Sequence, residues 1–143
     1  SSGLSIVERG NEDGLKAAAE ALGMQGVMQP LLTEISIRGE TSFIFIDGVF
    51  THAVTKRPKS GEIRCQKEFG GISELSEPPA WAVAEAQRIL KMAPGQPVYA
   101  RVDAIILDDT LQLMELELIE PELFFTYSLE AADRFAAALM KRL

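Results

Sequence analysis

Four ionisable residues stand, in pairs spaced two apart, within segments whose other residues are mostly apolar. They are Arg101 and Asp103 in VYARVDAIIL, and Glu115 and Glu117 in LQLMELELIEP. Side chains two apart on a β-strand point to the same face, so each pair shares one face of its segment. A three-residue turn, 108–110, between the segments would set Asp103 opposite Glu115 and Arg101 near Glu117. Three carboxylates would then converge beside one guanidinium.

This convergence predicts a cation site. Carboxylates that close repel one another and are costly to bury, and hard oxygen ligands suit Mg²⁺ or Mn²⁺. The alternative is a strand face open to water, on which charged residues are ordinary. We favour the site because four apolar residues are predicted on the same face, namely Ile105, Leu111, Leu113 and Ile119.

A basic segment interrupts an otherwise acidic chain. The 143 residues carry a formal net charge of −7, which argues against a general nucleic-acid binder because such binding rests on neutralising phosphates. From Lys56 to Glu68, however, five basic residues face two acidic ones, a local charge of +3. The segment predicts either a small-anion site or a solvated loop, and charge alone weighs these two readings equally.

Composition excludes several other classes of protein. The single cysteine, Cys65, rules out an internal disulfide framework and fits a reducing compartment. No apolar run approaches the roughly 20 residues that cross a bilayer, so we predict a cytoplasmic protein without a membrane partner. The chain begins with Ser rather than Met, which leads us to expect a piece of a longer polypeptide or added first residues.

Nucleophilic catalysis by a side chain is not predicted. His52, the only histidine, lies in a strand-like segment without a nucleophile beside it and is expected to be packed and neutral. Cys65 has no histidine at a recognisable spacing, so we expect only a small residue near the site.

The elements that would position these residues indicate an α+β fold. GETSFIFID and VFTHAVTKR surround Asp47-Gly48, a strong hairpin signal. Helical patterns follow Asn11 and cover 76–93 and 128–143, so we predict a mainly antiparallel sheet with helices on one face. The apolar cluster of Phe124, Phe125 and Tyr127 belongs either to the core or to an interface between copies, which leaves a homo-oligomer open.

Taken in order, VMQPLLTEI, GETSFIFIDGVFTHAVTKRPKSGEIRCQ, YARVD and LMELELIEP resemble the C-terminal part of the ATP-grasp superfamily. The resemblance runs through essentially the whole chain. It is nearest to the branch of the ribosomal-protein glutamate ligases and the cycloserine-biosynthesis ligases. It implies that residues 1–33 are a remnant of the first ATP-grasp lobe with its hinge, and that 34–143 form the C-terminal lobe.

The resemblance also implies site residues. For adenine these are the backbone groups of Gln29, Pro30, Leu31 and Leu32. For ribose they are Glu40 or, less directly, Glu34. For phosphates or an acyl phosphate they are Lys56, Arg57, Arg64 and a loop remnant, Gly3. Arg101 would steady the transferred phosphoryl group, and Asp103, Glu115 and Glu117 would bind the metal. Many relatives end this motif with Glu-x-Asn, where this chain has Glu115-Leu116-Glu117.

The implied activity is that of an ATP-dependent ligase. With Mg-ATP, or Mn-ATP, it would join a small-molecule carboxylate to an amine or other nucleophile through an acyl phosphate. Because the rest of the first lobe is absent from this sequence, we expect little activity and weak nucleotide affinity from these residues alone. The alternative is a non-catalytic nucleotide- or metal-binding module that keeps the fold as a scaffold or regulator. Three retained carboxylates and the basic segment favour the ligase.

Overall fold

A computed structural model describes residues 5–23, 26–59, 65 and 70–143. The chain divides into two units, Ser1–Leu32 and Thr33–Leu143. The first unit contains helix α1 (Glu12–Leu22), which begins where the Asn11 side chain accepts a hydrogen bond from the Gly14 amide at 2.9 Å. None of the helices in the described residues is long and apolar enough to cross a membrane.

In the described residues of the second unit, a five-stranded sheet is accompanied by three helices and a 3₁₀ turn. Its elements are α2 (Ile35–Arg38), β1 (Glu40–Ile46), β2 (Val49–Arg57), β3 (Ile72–Ser76), α3 (Ala80–Leu90), β4 (Tyr99–Leu107), β5 (Thr110–Glu117), the 3₁₀ turn Phe125–Tyr127 and α4 (Leu129–Met140). The strand order is β3-β2-β1-β4-β5, and every neighbouring pair is antiparallel. The predicted α+β class with an antiparallel sheet is confirmed.

Helices cover both faces of the sheet, whereas the sequence analysis placed them on one. Phe43 and Phe45 of β1 pack with α3 on one face, and Ile44 and Ile46 pack with Ala138 of α4 on the other. The reason is visible in the strand itself, because four successive apolar residues leave no polar side for water. The predicted aromatic cluster joins this second core, where Phe124 is buried.

The predicted helix 76–93 is shorter, because it begins only at Ala80. Pro79, the N-cap, has an extended backbone conformation. Pro78 directly precedes it, and a residue before a proline disfavours the helical conformation. The helix therefore starts only after Pro79. Ser76 therefore ends β3, a strand that the sequence analysis missed, and pairs with Ala53.

The β4–β5 hairpin has a two-residue turn rather than the predicted three, because Leu107 pairs with Thr110. A register shift at Met114 adds one residue to β5, which restores the predicted pairing of Asp103 with Glu115. The shift also moves residues near the turn to the other face. Leu111 and Leu113 pair with Ile106 and Ala104, so they do not line the charged face as predicted.

Candidate functional site

Three carboxylates meet on one face at the open end of the β4–β5 hairpin. Asp103, Glu115 and Glu117 each bring one carboxylate oxygen within 4.8 Å of the others. The strand register produces this convergence, since Asp103 pairs with Glu115 and Arg101 pairs with Glu117. Asp103 is only 1% exposed, Glu117 is half-buried and Glu115 is exposed, so the group opens to solvent on the β5 side.

Arg101 occupies the centre of this group. Its Nε and Nη2 donate to the two oxygens of Asp103, both at 2.9 Å, and Nη2 also donates to Glu117. Its Nη1 donates to the Glu122 carbonyl at 3.2 Å, and its Cζ lies 5.8 Å from the centre of the Phe124 ring. The guanidinium is thus held by both strands and by the segment that follows β5.

Lys56 joins the carboxylates to Glu40. The Lys56 Nζ lies 2.7 Å from Glu40 and 2.8 Å from the Oδ2 atom of Asp103. The register explains the contact, because Glu40 pairs with Lys56 on one side of β1 and Ser42 pairs with Asp103 on the other. Two cations and four carboxylates therefore lie on a single face of four strands, β1, β2, β4 and β5. We call these residues the charged cluster: Glu40, Lys56, Arg101, Asp103, Glu115 and Glu117.

Burial and charge oppose each other at these groups. Burial would raise the pKa of Asp103, but the charge of Lys56 and the hydrogen bonds from Arg101 outweigh it and lower that pKa. Burial would lower the pKa of Lys56, yet Asp103 and Glu40 raise it. For Glu117, burial and the charges of the other carboxylates outweigh Arg101, so the pKa is raised.

Ser42 is a residue that the sequence analysis missed. It lies across from Asp103 on β1, and its hydroxyl is buried without a hydrogen-bond partner among the described residues. Its signal was present, because it is a small polar residue directly before the apolar run FIFI.

Arg57, predicted to face the phosphates, does not lie in the charged cluster. It follows Lys56 directly, and successive strand residues point to opposite faces. Its Nε donates to Glu74 at 3.1 Å and its Nη1 to the Arg38 carbonyl at 3.0 Å, so it holds the end of α2 against β3. The phosphate role of Arg57 stays a prediction, made for a side chain that holds structural contacts in this arrangement.

Few contacts are described for the remaining residues that are predicted to bind the nucleotide. Gln29, Pro30, Leu31 and Leu32 belong to the first unit, in an irregular segment that is largely exposed. Glu34 is the N-cap of α2 and makes no side-chain cap hydrogen bond. Gly3 and Arg64 lie outside the described residues.

His52 and Cys65 are both buried. Burial lowers the pKa of His52, whose Nδ1 lies 3.0 Å from the Thr51 hydroxyl. Burial and the charge of Glu40 raise the pKa of Cys65 to about 11, so its thiol is protonated at neutral pH. Neither side chain is in the form that a general acid or a thiolate nucleophile requires at neutral pH.

No family model matches the sequence. The chain is 32% identical over 131 residues to the cycloserine biosynthesis protein DcsG of Streptomyces lavendulae, an alignment that covers 86% of this chain and 44% of that protein. The crystal structure of D-cycloserine synthetase DcsG matches with a TM-score of 0.60 and 31% identity, over 80% of this chain and 41% of that one.

A second solved structure supports the fold. The D-alanine–D-alanine ligase from Bacillus anthracis complexed with ATP matches with a TM-score of 0.64 at 20% identity, over 90% of this chain and 44% of that one. This chain is part of an ATP-grasp domain. It spans less than half the length of the relatives it matches.

Proposed function

We propose that this ATP-grasp chain holds the metal and the phosphates of ATP in a ligase that joins a small-molecule carboxylate to an amine or other nucleophile. The observation that carries the proposal is the convergence of Asp103, Glu115 and Glu117 within 4.8 Å, beside Arg101 and Lys56. The similarity to a cycloserine synthetase and to a ligase structure with ATP supports the same reading.

The donor set fits Mg²⁺ or Mn²⁺. All three groups offer carboxylate oxygens, and Mg²⁺ is commonly bound by one or two carboxylates together with substrate phosphates. Glu115, the most exposed of the three, leaves room for phosphate oxygens at the solvent side. When bound, the metal would neutralise charge on those oxygens.

The proposed reaction needs no side-chain nucleophile. The γ-phosphoryl group moves from ATP to an oxygen of the substrate carboxylate, and ADP leaves. The nitrogen of the amine then attacks the carbonyl carbon of this acyl phosphate, the bond to the phosphate oxygen breaks, and the nitrogen loses a proton. Both steps depend on alignment and on charge neutralisation. Arg101 and Lys56 are the cations that would neutralise the phosphoryl oxygens.

The assignments to the nucleoside part of ATP rest on the family resemblance. Glu40 would bind ribose, with Glu34 as the second candidate, and the backbone of 29–32 would bind adenine. The ion pair between Glu40 and Lys56 supports the first of these, because it links the predicted ribose residue to a predicted phosphate residue.

Calorimetric titration with ATP, with and without Mg²⁺, tests the metal assignment. We expect Glu115→Gln to weaken Mg-ATP binding by about tenfold or more, as losses of groups around a metal usually do. The matched control is Glu130→Gln on α4, an exposed residue outside the charged cluster, which should leave binding unchanged. Equal Mg-ATP affinity in wild type and Glu115→Gln would contradict the assignment.

Turnover separates the ligase from a non-catalytic module. In the protein that contains this chain, ADP formation should require both a carboxylate and an amine, and Glu115→Gln should abolish it. Metal-dependent ATP binding without ADP formation under any substrate pair would instead support the scaffold or regulator.

A further inference from the structure

Both carboxylate oxygens of Asp103 already accept hydrogen bonds from cations. Oδ1 accepts from the Nε of Arg101, and Oδ2 accepts from the Nη2 of Arg101 and from Lys56, at 2.8–2.9 Å. A divalent ion that coordinates this carboxylate therefore meets a charged donor on either oxygen and competes with it. Since Asp103 is only 1% exposed, the carboxylate cannot turn away from these donors into solvent.

The same guanidinium also holds a second carboxylate, since Nη2 of Arg101 donates to Glu117. One cation therefore competes with the metal for two of its three predicted ligands. Arg101 is itself 8% exposed and keeps a bond to the Glu122 carbonyl, so water offers it few new partners if it is displaced. A free metal ion thus has to strip a buried cation of its counter-ions, which costs free energy.

We propose that this cluster takes a divalent ion as its polyphosphate complex and excludes the free ion. The inference rests on the proposed function, because it assumes that Asp103 and Glu117 are metal ligands. Phosphate oxygens supply the planar, bidentate acceptors that a guanidinium prefers, so a polyphosphate draws Arg101 away as the metal replaces it. The same anion neutralises Lys56 when that ammonium leaves Asp103.

Ser42 supports this exchange. Ser42 is the residue that pairs with Asp103 in the strand register, and its buried hydroxyl has no hydrogen-bond partner among the described residues. When Arg101 departs, that hydroxyl is a donor ready to take its place on the carboxylate. A buried donor without a partner is costly, and the exchange removes that cost.

Titration with Mn²⁺ alone, followed by the electron paramagnetic resonance signal of the free ion, tests the exclusion. Arg101→Gln should bind Mn²⁺ about tenfold or more tightly than wild type, because a competing charge has been removed. The matched control is Arg38→Gln, which removes the same charge from the surface ion pair with Asp108 and should change the affinity by less than twofold. Adding Glu117→Gln to Arg101→Gln should cancel the gain.

A folded Arg101→Gln variant that binds Mn²⁺ no more tightly than wild type overturns the inference. If circular dichroism shows that this variant is unfolded, the Nε–H resonance of Arg101 in the wild-type protein decides, assigned by its loss in Arg101→Lys. We expect it to stay in place with Mg²⁺ and to move with Mg²⁺ plus tripolyphosphate. The inference is overturned if the resonance moves with Mg²⁺ alone, or if it does not move under either condition.

The two proposals fail differently. If Mg²⁺ alone moves the Arg101 resonance while Glu115→Gln still weakens Mg-ATP binding, this inference is wrong and the metal assignment stands. If wild type and Glu115→Gln bind Mg-ATP equally, the metal assignment itself is wrong.

Discussion

Arg101 and Asp103, two residues apart on β4, form a bidentate ion pair within their own strand, with both nitrogen–oxygen distances at 2.9 Å. We expect Asp103→Asn to lower the free energy of unfolding by about 3 kcal/mol, because it removes the buried counter-charge that Arg101 and Lys56 share. Urea unfolding measures this. The control is Asp108→Asn, since Asp108 pairs with Arg38 at 2.8 Å but is 88% exposed, and its loss should cost less than about 1 kcal/mol. An equal loss of unfolding free energy in both variants would show that burial does not determine how much an ion pair stabilises the protein.

Gly39 joins α2 to β1 with a φ of 75°, and a Cβ placed there would lie 2.6 Å from the Lys56 carbonyl oxygen. An alanine in the left-handed conformation costs roughly 1–2 kcal/mol. Because of the additional clash, Gly39→Ala should lower the free energy of unfolding by more than this. Gly48→Ala is the control, because Gly48 has a φ of 76° and open space around it. A thermal melt of each variant tests the difference, and equal shifts would contradict the clash.

The stability of the protein should fall as the pH drops below about 6.5, the ordinary pKa of histidine. Burial lowers the pKa of His52 in the folded chain, so between that lowered value and about 6.5 the unfolded state binds more protons. The contribution is complete above this window and is lost as pH falls through it. Urea midpoints at pH 7.5 and pH 5.5, as chosen conditions on each side of about 6.5, should differ less in His52→Gln than in wild type. An equal difference in both proteins would assign the loss to other groups.

The Tyr127 hydroxyl donates to the Ser73 carbonyl at 2.8 Å, which joins the 3₁₀ turn to β3. Tyr127→Phe should cost about 1 kcal/mol and speed amide exchange in β3. Tyr99→Phe is a suitable control, because the Tyr99 ring packs edge-on against Phe135 and its hydroxyl makes no hydrogen bond to a described residue. Exchange in β3 that is equally fast in both variants would mean that this bond does not hold the strand.

The centre of the site could be predicted from the sequence because strand alternation is a strict geometric rule. Spacing by two placed Arg101 with Asp103 and Glu115 with Glu117, and the pairing of Asp103 with Glu115 is present in the structure. That pairing was reached through a turn one residue too long, and the extra residue in β5 compensated for it. Alternation predicts faces; it does not reveal bulges.

Other features depended on information that a single segment does not contain. Alternation also places Arg57 and Lys56 on opposite faces of β2, but the contacts of Arg57 with Glu74 and the end of α2 join segments that are distant in sequence. The short strand β3 has a weak pattern, ISELS, and exists because β2 offers it an edge with which to pair. The placement of α4 on the face of β1 opposite to α3 depends on packing between segments that are distant in sequence.

The extra residue at Met114 divides the hairpin into two stretches of different register. Toward the turn, residues pair in one register, and toward the carboxylates they pair in another. Matched deletions or insertions between the turn and Met114 would therefore leave Asp103 facing Glu115. The exposed Asp108-Asp109 tip is accordingly a suitable point for grafting a fluorescent reporter or an affinity label without disturbing the charged cluster.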